Sequence, residues 1–513
     1  MKKFRTFITL VFIALWIGAS AQINEFPRAT PEAEGIESRA IIAMIDSMKA
    51  IPQTDIHHLI VMRNGKVVAE MHPSPFKAEY GHTLYSASKT FVSLAVGLAI
   101  DDNLLKLNDR VATFFHDKLP KNVSENLAEM TVRNLLTMSS GITPDWEMRS
   151  QTPLWEKTWL AKKVDKPGKK YQYDSMSTFM LSAIVQKVTG KKVVDYLNER
   201  IFEPLNIKDF DWEESPDGIN TGGWGLRLQA ESLAKIGQLI INKGKWDGKQ
   251  LISEKWINEA TEKQFPTAKE VPGMKATDGN QGYGYQIWRC EYPGAVRADG
   301  ALGQFIVMVP AKDLVVVVNA NSVGYGAKIL GTIWHQLMPG VMDWKIKPSK
   351  YISTLEKKCE TAQLARNIGK KTSPLAKNIM GKKIDLVKNG HRFSWVKALD
   401  EGTHYVLEIG KEDGSITKIP FDYKEWRYHE SEDFPPYSIM PIDRFKGLKR
   451  NFVVAGNYAW VNPRTLAFSA YYVNWVSERK FAIEQKADGT IYVNVKDNYN
   501  TSPGEMIKGT LEK

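Results

Sequence analysis

Cysteine is nearly absent: the 513 residues hold two, Cys290 and Cys359. Sequence cannot show whether they meet, so a disulfide and a pair of plain structural cysteines both stay open. No Cys-x-x-Cys or His-x-x-x-His occurs, and neither cysteine has ligand-type spacing, so no metal site is expected. Long apolar runs are missing after the first residues, which excludes a membrane-spanning helix from the rest of the chain. Runs of basic residues are missing too. The formal charge is +11, and residues 350–513 carry 27 Lys+Arg against 20 Asp+Glu. With no basic cluster or RNA-binding motif, this reads as a solvated basic surface and excludes nucleic acid as the expected partner. Solenoid repeats and low-complexity tracts are lacking. The composition, 43% apolar and 25% charged, is that of a folded chain. The length exceeds one ordinary core, so two or three domains are expected.

One apolar run does occur, at the start. Lys2, Lys3 and Arg5 precede Phe7 to Ile17, and Ala19-Ser20-Ala21 follows as a small-x-small site. This pattern predicts a secretory signal over 1–21, cleaved before Gln22, and a mature chain that is periplasmic or secreted. No Cys follows the apolar core, which argues against a lipid anchor there.

Apolar periodicity predicts a helix over 31–50, then strands at 59–62 and 67–70 joined by Asn64-Gly65, a two-residue hairpin signal. A mostly helical region fills 91–260. Strands return at 283–289, 296–299, 305–310 and 314–319. That order suggests a sheet assembled from both ends of the segment, with a helical subdomain between and a cleft at the junction. Residues 346–379 read as a polar linker. From 380 to 513 the texture changes to short alternating strands with turn signals at Asn389-Gly390, Asp413-Gly414 and Asp488-Gly489, so a separate antiparallel β domain is expected, a sandwich or small barrel.

The chemistry centres on Ser86-Ala-Ser-Lys89, which opens an apolar helical run through Phe91, Leu94, Ala95, Leu98 and Ala99. Positions i and i+3 share a helix face. A serine hydroxyl needs an adjacent base, and a buried lysine can supply one. Ser-x-x-Lys occurs six times, beginning at Ser74, Ser86, Ser232, Ser394, Ser415 and Ser477, so the spacing alone decides nothing. Two further motifs do. Tyr173-Asp174-Ser175 follows a Pro167-Gly168 break, and Ala298-Asp299-Gly300-Ala301 lies on an expected strand.

In order, spacing and context these motifs, together with Leu135-Leu-Thr-Met-Ser-Ser-Gly141, resemble the serine β-lactamase and penicillin-binding-protein superfamily. The similarity is to its class C-like branch, which includes esterases, D-aminopeptidases and nylon-oligomer hydrolases. It spans residues 30–340, about three-fifths of the chain. It implies an α/β (α+β) fold in which an antiparallel sheet is flanked by helices and a mostly helical subdomain, here in 22–345. It implies Ser86 as nucleophile, with Lys89 and Tyr173 as proton-transfer groups and the Tyr173 phenol pKa lowered by Lys89. The N–H groups of Ser86 and Ala301 would form an oxyanion hole, beside Gly300 and Ser175, with no cofactor. Ala298 and Asp299 replace the family's lysine or histidine and threonine, which puts carboxylate recognition in doubt. Arg297 and Asp299, out of phase with Ala298 and Gly300, are expected to face away.

The expected substrate is therefore a small ester or amide. A peptidoglycan D,D-peptidase or D-aminopeptidase, and a binding or sensing protein with weak turnover, are the alternatives. Trp224 and the aromatics Tyr85, Trp146, Trp155, Trp159 and Tyr171 either line an acyl pocket or belong to the core. Gly222-Gly-Trp-Gly225 is a substrate loop or a tight turn. His82 is expected to make a structural contact, and Asp174 to be a turn or surface carboxylate. Sequence leaves the oligomeric state unassigned.

Overall fold

The structure, a computed structural model, describes residues 26–512 apart from 270, 272, 432, 437–444, 450 and 500. The expected signal segment and its cleavage site lie outside the described residues.

The N-terminal sheet has six antiparallel strands, β1 (Thr54–Arg63), β2 (Lys66–Met71), β3 (Trp288–Arg289), β4 (Val296–Gly300), β5 (Gln304–Val309) and β6 (Leu314–Ser322), in the order β2-β1-β6-β5-β4-β3. It is built from both ends of the segment, as the pattern of strands suggested. Asn64 and Gly65 take φ of 51° and 69°, the left-handed pair that closes a two-residue hairpin. Side chains alternate across the sheet. Ile60, Met62, Val315 and Val317 face one core, with the helices α2 (Ser88–Asp101), α3 (Ser175–Thr189) and α4 (Ala230–Ile241). Leu59, Val61, Val316 and Val318 face the other, against α1 (Ser38–Lys49), α5 (Gly326–Thr332) and α6 (Tyr351–Glu360). The expected helix over 31–50 is broken at Gly35, whose left-handed φ of 78° ends a short turn before α1 begins. The strand expected over 283–289 shrinks to its last two residues, because Gln286 takes a left-handed φ of 61° and the N–H groups of Tyr283, Tyr285 and Gln286 go to the carbonyls of Phe265, Ala260 and Leu136.

Residues 346–379 are docked rather than free. α6 packs Leu355 into the α1 side of the sheet, and Lys370 exchanges two backbone hydrogen bonds with Trp460 at 2.9 Å.

The C-terminal domain is a barrel. Its strands are β7 (Lys383–Leu386), β8 (Phe393–Asp400), β9 (Tyr405–Lys411), β10 (Ile416–Tyr423), β11 (Arg427–Ser431), β12 (Phe452–Asn462), β13 (Thr465–Tyr472), β14 (Glu478–Gln485), β15 (Ile491–Asp497) and β16 (Glu505–Leu511). Antiparallel neighbours run β10-β9-β8-β7-β16-β15-β14-β13-β12-β11. A short parallel pairing of β10 with β12, Asp422 with Asn457 and Tyr423 with Tyr458, closes nine of them into a ring and leaves β11 outside it. Closure removes two exposed sheet edges. Gly414 and Gly489 have left-handed φ in tight turns, whereas Asn389 spans a longer loop by bonding both backbone groups of Phe393 through its side-chain amide.

The barrel sits on the N-terminal domain. The Tyr428 hydroxyl donates to the Pro75 carbonyl at 2.9 Å, Phe76 meets Tyr471 edge-on, and the Lys449 N–H donates to Asp211, itself paired with buried Arg227.

Candidate active site

Ser86 lies in a single 3₁₀ turn, Tyr85–Ala87, that runs into α2. Helix spacing puts Lys89 on the same face. Its Nζ reaches Ser86 Oγ at 2.8 Å, Ser175 Oγ at 2.9 Å and the Gly223 carbonyl at 2.7 Å. Three elements distant in sequence thus converge on one amine. Lys89 is 1% exposed. Burial holds its pKa down to about 7, with Arg149 adding to the effect and Asp174 and Asp299 opposing it. A neutral amine keeps two N–H bonds, to Gly223 and Ser175, and turns its lone pair toward the Ser86 hydroxyl.

Tyr173 precedes α3. Its ring stands 4.8 Å from Lys89 Nζ, and its phenol bonds to Ser86. Burial pushes the phenol pKa up, and the nearby Asp299 raises it further, against the opposing Ser86 bond and Arg297. This corrects the expectation of a phenol lowered by Lys89: a largely neutral amine offers little charge to stabilise a phenolate, and desolvation wins. Asp174 is a second correction. It is a buried N-cap, not a surface carboxylate. Its oxygens accept from the N–H groups of Met176 and Ser177, the Ser177 hydroxyl and the Trp159 indole, all at 3.0–3.1 Å. Those bonds fix the start of α3 and hence Ser175.

Two glycines carry close approaches. A Cβ on Gly223 would fall 2.6 Å from the Ser175 carbonyl oxygen, so only glycine lets this loop reach Lys89. A Cβ on Gly300 would fall 2.1 Å from the Leu84 carbonyl oxygen, so glycine lets the end of β4 press against the Ser86 turn. That contact sets Ala301, exposed just past β4, beside Ser86. Gln304 steadies Ala301 by donating to its carbonyl at 3.2 Å and to that of Ala320 at 2.6 Å.

Arg297 and Asp299 share one face of β4 and pair at 2.8 Å, with the guanidinium over the Trp288 ring at 5.3 Å; Trp288 stands beside Tyr173 and both charges act on its phenol, so they lie on the Tyr173 side, which corrects the expectation that they face away. Ala298, on the other face, is 1% exposed in the helix-side core, and Trp224 is 0% exposed. Neither offers a surface to a ligand, so Trp224 takes the core reading of its two, and Ala298, a candidate on the substrate side, is not a contact. Trp224 instead stacks under Arg149 at 4.8 Å and meets Trp155 at 5.9 Å. Trp155, Trp159 and Tyr85 are buried, Tyr171 is half-buried, and Trp146 is exposed. The aromatic wall beside Tyr173 is formed by Trp288 at 5.6 Å and Tyr283 at 6.4 Å, which sequence reasoning missed; both stand in a stretch read only as strand. Arg149 and Gln304 were missed too. His82 is buried and bonded to His57 and to the Thr83 carbonyl, the expected structural contact. Cys290 and Cys359 are both free thiols.

A serine hydroxyl bonded to both a base of depressed pKa and a phenol, beside a sheet with a helical subdomain, defines a serine acyl-transfer site. Residues 56–332, more than half of the chain, match the family model described as Beta-lactamase, and the chain belongs to that family. It is a serine hydrolase. It is 22% identical over 344 residues to the 6-aminohexanoate-dimer hydrolase of Paenarthrobacter ureafaciens, covering 63% of this chain and 86% of that one. It is 25% identical over 162 residues to Protein flp of Staphylococcus aureus strain MW2, covering 29% and 32%. Among solved structures, EstCE1, a hydrolase with promiscuous acyltransferase activity, aligns with TM-score 0.48 and 15% identity over 58% of this chain and 98% of its own. An octameric penicillin-binding protein homologue from Pyrococcus abyssi aligns with TM-score 0.46 and 18% identity over 92% and 98%.

Proposed function

We propose that the chain is an exported hydrolase of small esters or amides that works through an acyl-enzyme on Ser86. The observation that carries this reading is the buried amine of Lys89, bonded at once to Ser86, Ser175 and Gly223. Ser86 Oγ attacks the substrate carbonyl carbon as its proton passes to Lys89. The oxyanion that forms lies toward the N–H groups of Ser86 and Ala301. Collapse expels the alcohol or amine, which takes its proton from the Tyr173 phenol. The Tyr173 phenolate then recovers its proton from the Lys89 ammonium, 4.8 Å from its ring, since Ser86 Oγ now carries the acyl group. Water, deprotonated by the same groups, then cleaves the acyl ester and restores Ser86. The raised phenol pKa keeps Tyr173 protonated, so that it holds a proton for the leaving group, and the lowered pKa of Lys89 leaves it free to take one.

The absence of a cation at Ala298 favours substrates without an essential carboxylate, and similarity to the 6-aminohexanoate-dimer hydrolase of Paenarthrobacter supports a small hydrolysable substrate. The sequence pattern of residues 1–21 supports export.

Intact-mass spectrometry after a fluorophosphonate and, separately, a penicillin tests this against Ser86→Ala. Adduct from fluorophosphonate alone, lost in Ser86→Ala, is the expected result. Stable penicillin acylation would shift the reading to a peptidase. No adduct from either would overturn it.

A further inference from the structure

The two residues that flank the oxyanion donors share an unusual backbone. Tyr85, directly before Ser86, has φ +44°, and Leu302, directly after Ala301, has φ +64°. Each sits in a tight turn, closed by the Ala87 N–H on the Leu84 carbonyl at 3.1 Å and by the Gly303 N–H on the Gly300 carbonyl at 3.3 Å, and a bulky side chain in left-handed backbone costs free energy that its packing must offset. Strain of this kind relaxes unless the side chain is held.

Both side chains are held outside the hydrolase core. Tyr85 is buried in a cluster whose other fully buried members all belong to the barrel or its lead-in, among them Phe445, Phe452, Trp475 and Val476. Its ring meets Trp475 edge-on at 6.2 Å. Leu302 packs against the same cluster. Trp475 is itself fixed by Phe445 at 5.2 Å and Phe452 at 5.8 Å. On the opposite side the sheet holds the same two peptides, through Gln304 on the Ala301 carbonyl and the close approach of Gly300 to Leu84.

We propose that the C-terminal barrel is a positioning element of the oxyanion hole: by anchoring the side chains of Tyr85 and Leu302 it holds in place the two turns that carry the N–H groups of Ser86 and Ala301. This rests on the acyl-enzyme reading of Ser86. A domain without catalytic groups thereby sets the rate of acylation and leaves substrate affinity to the cleft. Trp475 is a positioning residue in this scheme, since it acts through Tyr85.

The test uses full-length protein and compares Trp475→Ala, Trp475→Phe and Leu302→Ala with wild type. The rate of fluorophosphonate labelling at Ser86 is read by intact mass, and kcat and KM are read on a p-nitrophenyl ester. Removing one oxyanion donor costs about 10²–10³ in rate, so misaiming one should cost roughly 10–100-fold. The expected result is that loss in kcat and labelling rate for Trp475→Ala, with KM within about threefold, and recovery of most of the rate in Trp475→Phe. Leu302→Ala, which trims one partly buried side chain, should fall in the same direction and decides the matter if Trp475→Ala does not fold. Wild-type labelling rates in Leu302→Ala, and in any Trp475→Ala that folds, would overturn the proposal alone. A wild-type enzyme that takes no label would overturn the acyl-enzyme reading and this inference with it.

Discussion

Ser86-x-x-Lys89 and Ser232-x-x-Lys235 are the same pattern, each near the start of a long buried helix, and both lysines are buried. They differ in what the amine meets. Lys89 touches two hydroxyls and one carbonyl, whereas Lys235 donates to the carbonyls of Leu205 at 2.9 Å and Asn206 at 3.3 Å. A carbonyl has no proton to give, so through these bonds Lys235 ties α4 to the turn at 205–206. A hydroxyl does have one, and Lys89 is desolvated enough to take it. Spacing places a lysine on a helix face; its neighbours decide whether it is a base or a strut.

The sharpest way to break this comparison is to remove each amine. Lys89→Met should lower acylation of Ser86 by about 10³-fold, the range of a lost general base. Lys235→Met should leave kcat/KM within about twofold but lower stability on the order of 1–2 kcal/mol, since two buried carbonyls lose their donor. Ester kinetics and denaturant unfolding of both variants read the two effects. Equal rate losses would show that either lysine is only structural.

Tyr173→Phe comes next. The phenol is assigned to protonate the leaving group, so its loss should matter most where that group is a poor one. About 10²-fold loss is expected on an amide, and distinctly less on a p-nitrophenyl ester, whose phenolate leaves without a proton. A loss of the same size on both would place Tyr173 in activation of Ser86 instead.

Much of this was legible in the sequence. Alternation and the Asn-Gly turn revealed the two-ended sheet, and the order of three motifs brought Ser86, Lys89, Tyr173 and Ser175 together. Asp174 was legible but misread: an acid directly before an apolar helical run is an N-cap signal. Barrel closure was not legible, because it depends on a two-residue parallel pairing between β10 and β12, for which no local pattern exists. The left-handed Tyr85 had no signal at all, since tyrosine is not a residue that φ of +44° selects. Trp224 stayed undecided between pocket and core for a different reason. Proximity to a glycine loop says that an aromatic is near a site, not whether it faces the cleft or props up the loop behind it.

The pH profile refines the comparison further. Lys89 works as the free amine, and burial brings its pKa down to about 7. The rate of acylation should therefore rise with pH through about 7 and then level, with the ammonium form inactive below. The sign in stability is the same. Between pH 7 and the ordinary lysine range near 10.4 the unfolded chain binds a proton at this position that the folded chain does not, so this group favours folding increasingly as pH rises. A rate limb centred above about 9 would mean that Lys89 is charged in the working enzyme and that the base is another group.

The smallest effect separates burial from the charges around it. Arg149, stacked on Trp224, disfavours the ammonium, and Asp174, at the α3 N-cap, favours it. Arg149→Met should move the limb to higher pH and Asp174→Asn to lower pH, each by less than about one pH unit because desolvation outweighs both. Asparagine retains an acceptor for the cap, so its effect is chiefly the lost charge. The two shifts must be opposite in sign. Shifts in the same direction would show that each substitution acts by loosening the packing around Lys89, and that solvent access rather than charge sets its pKa.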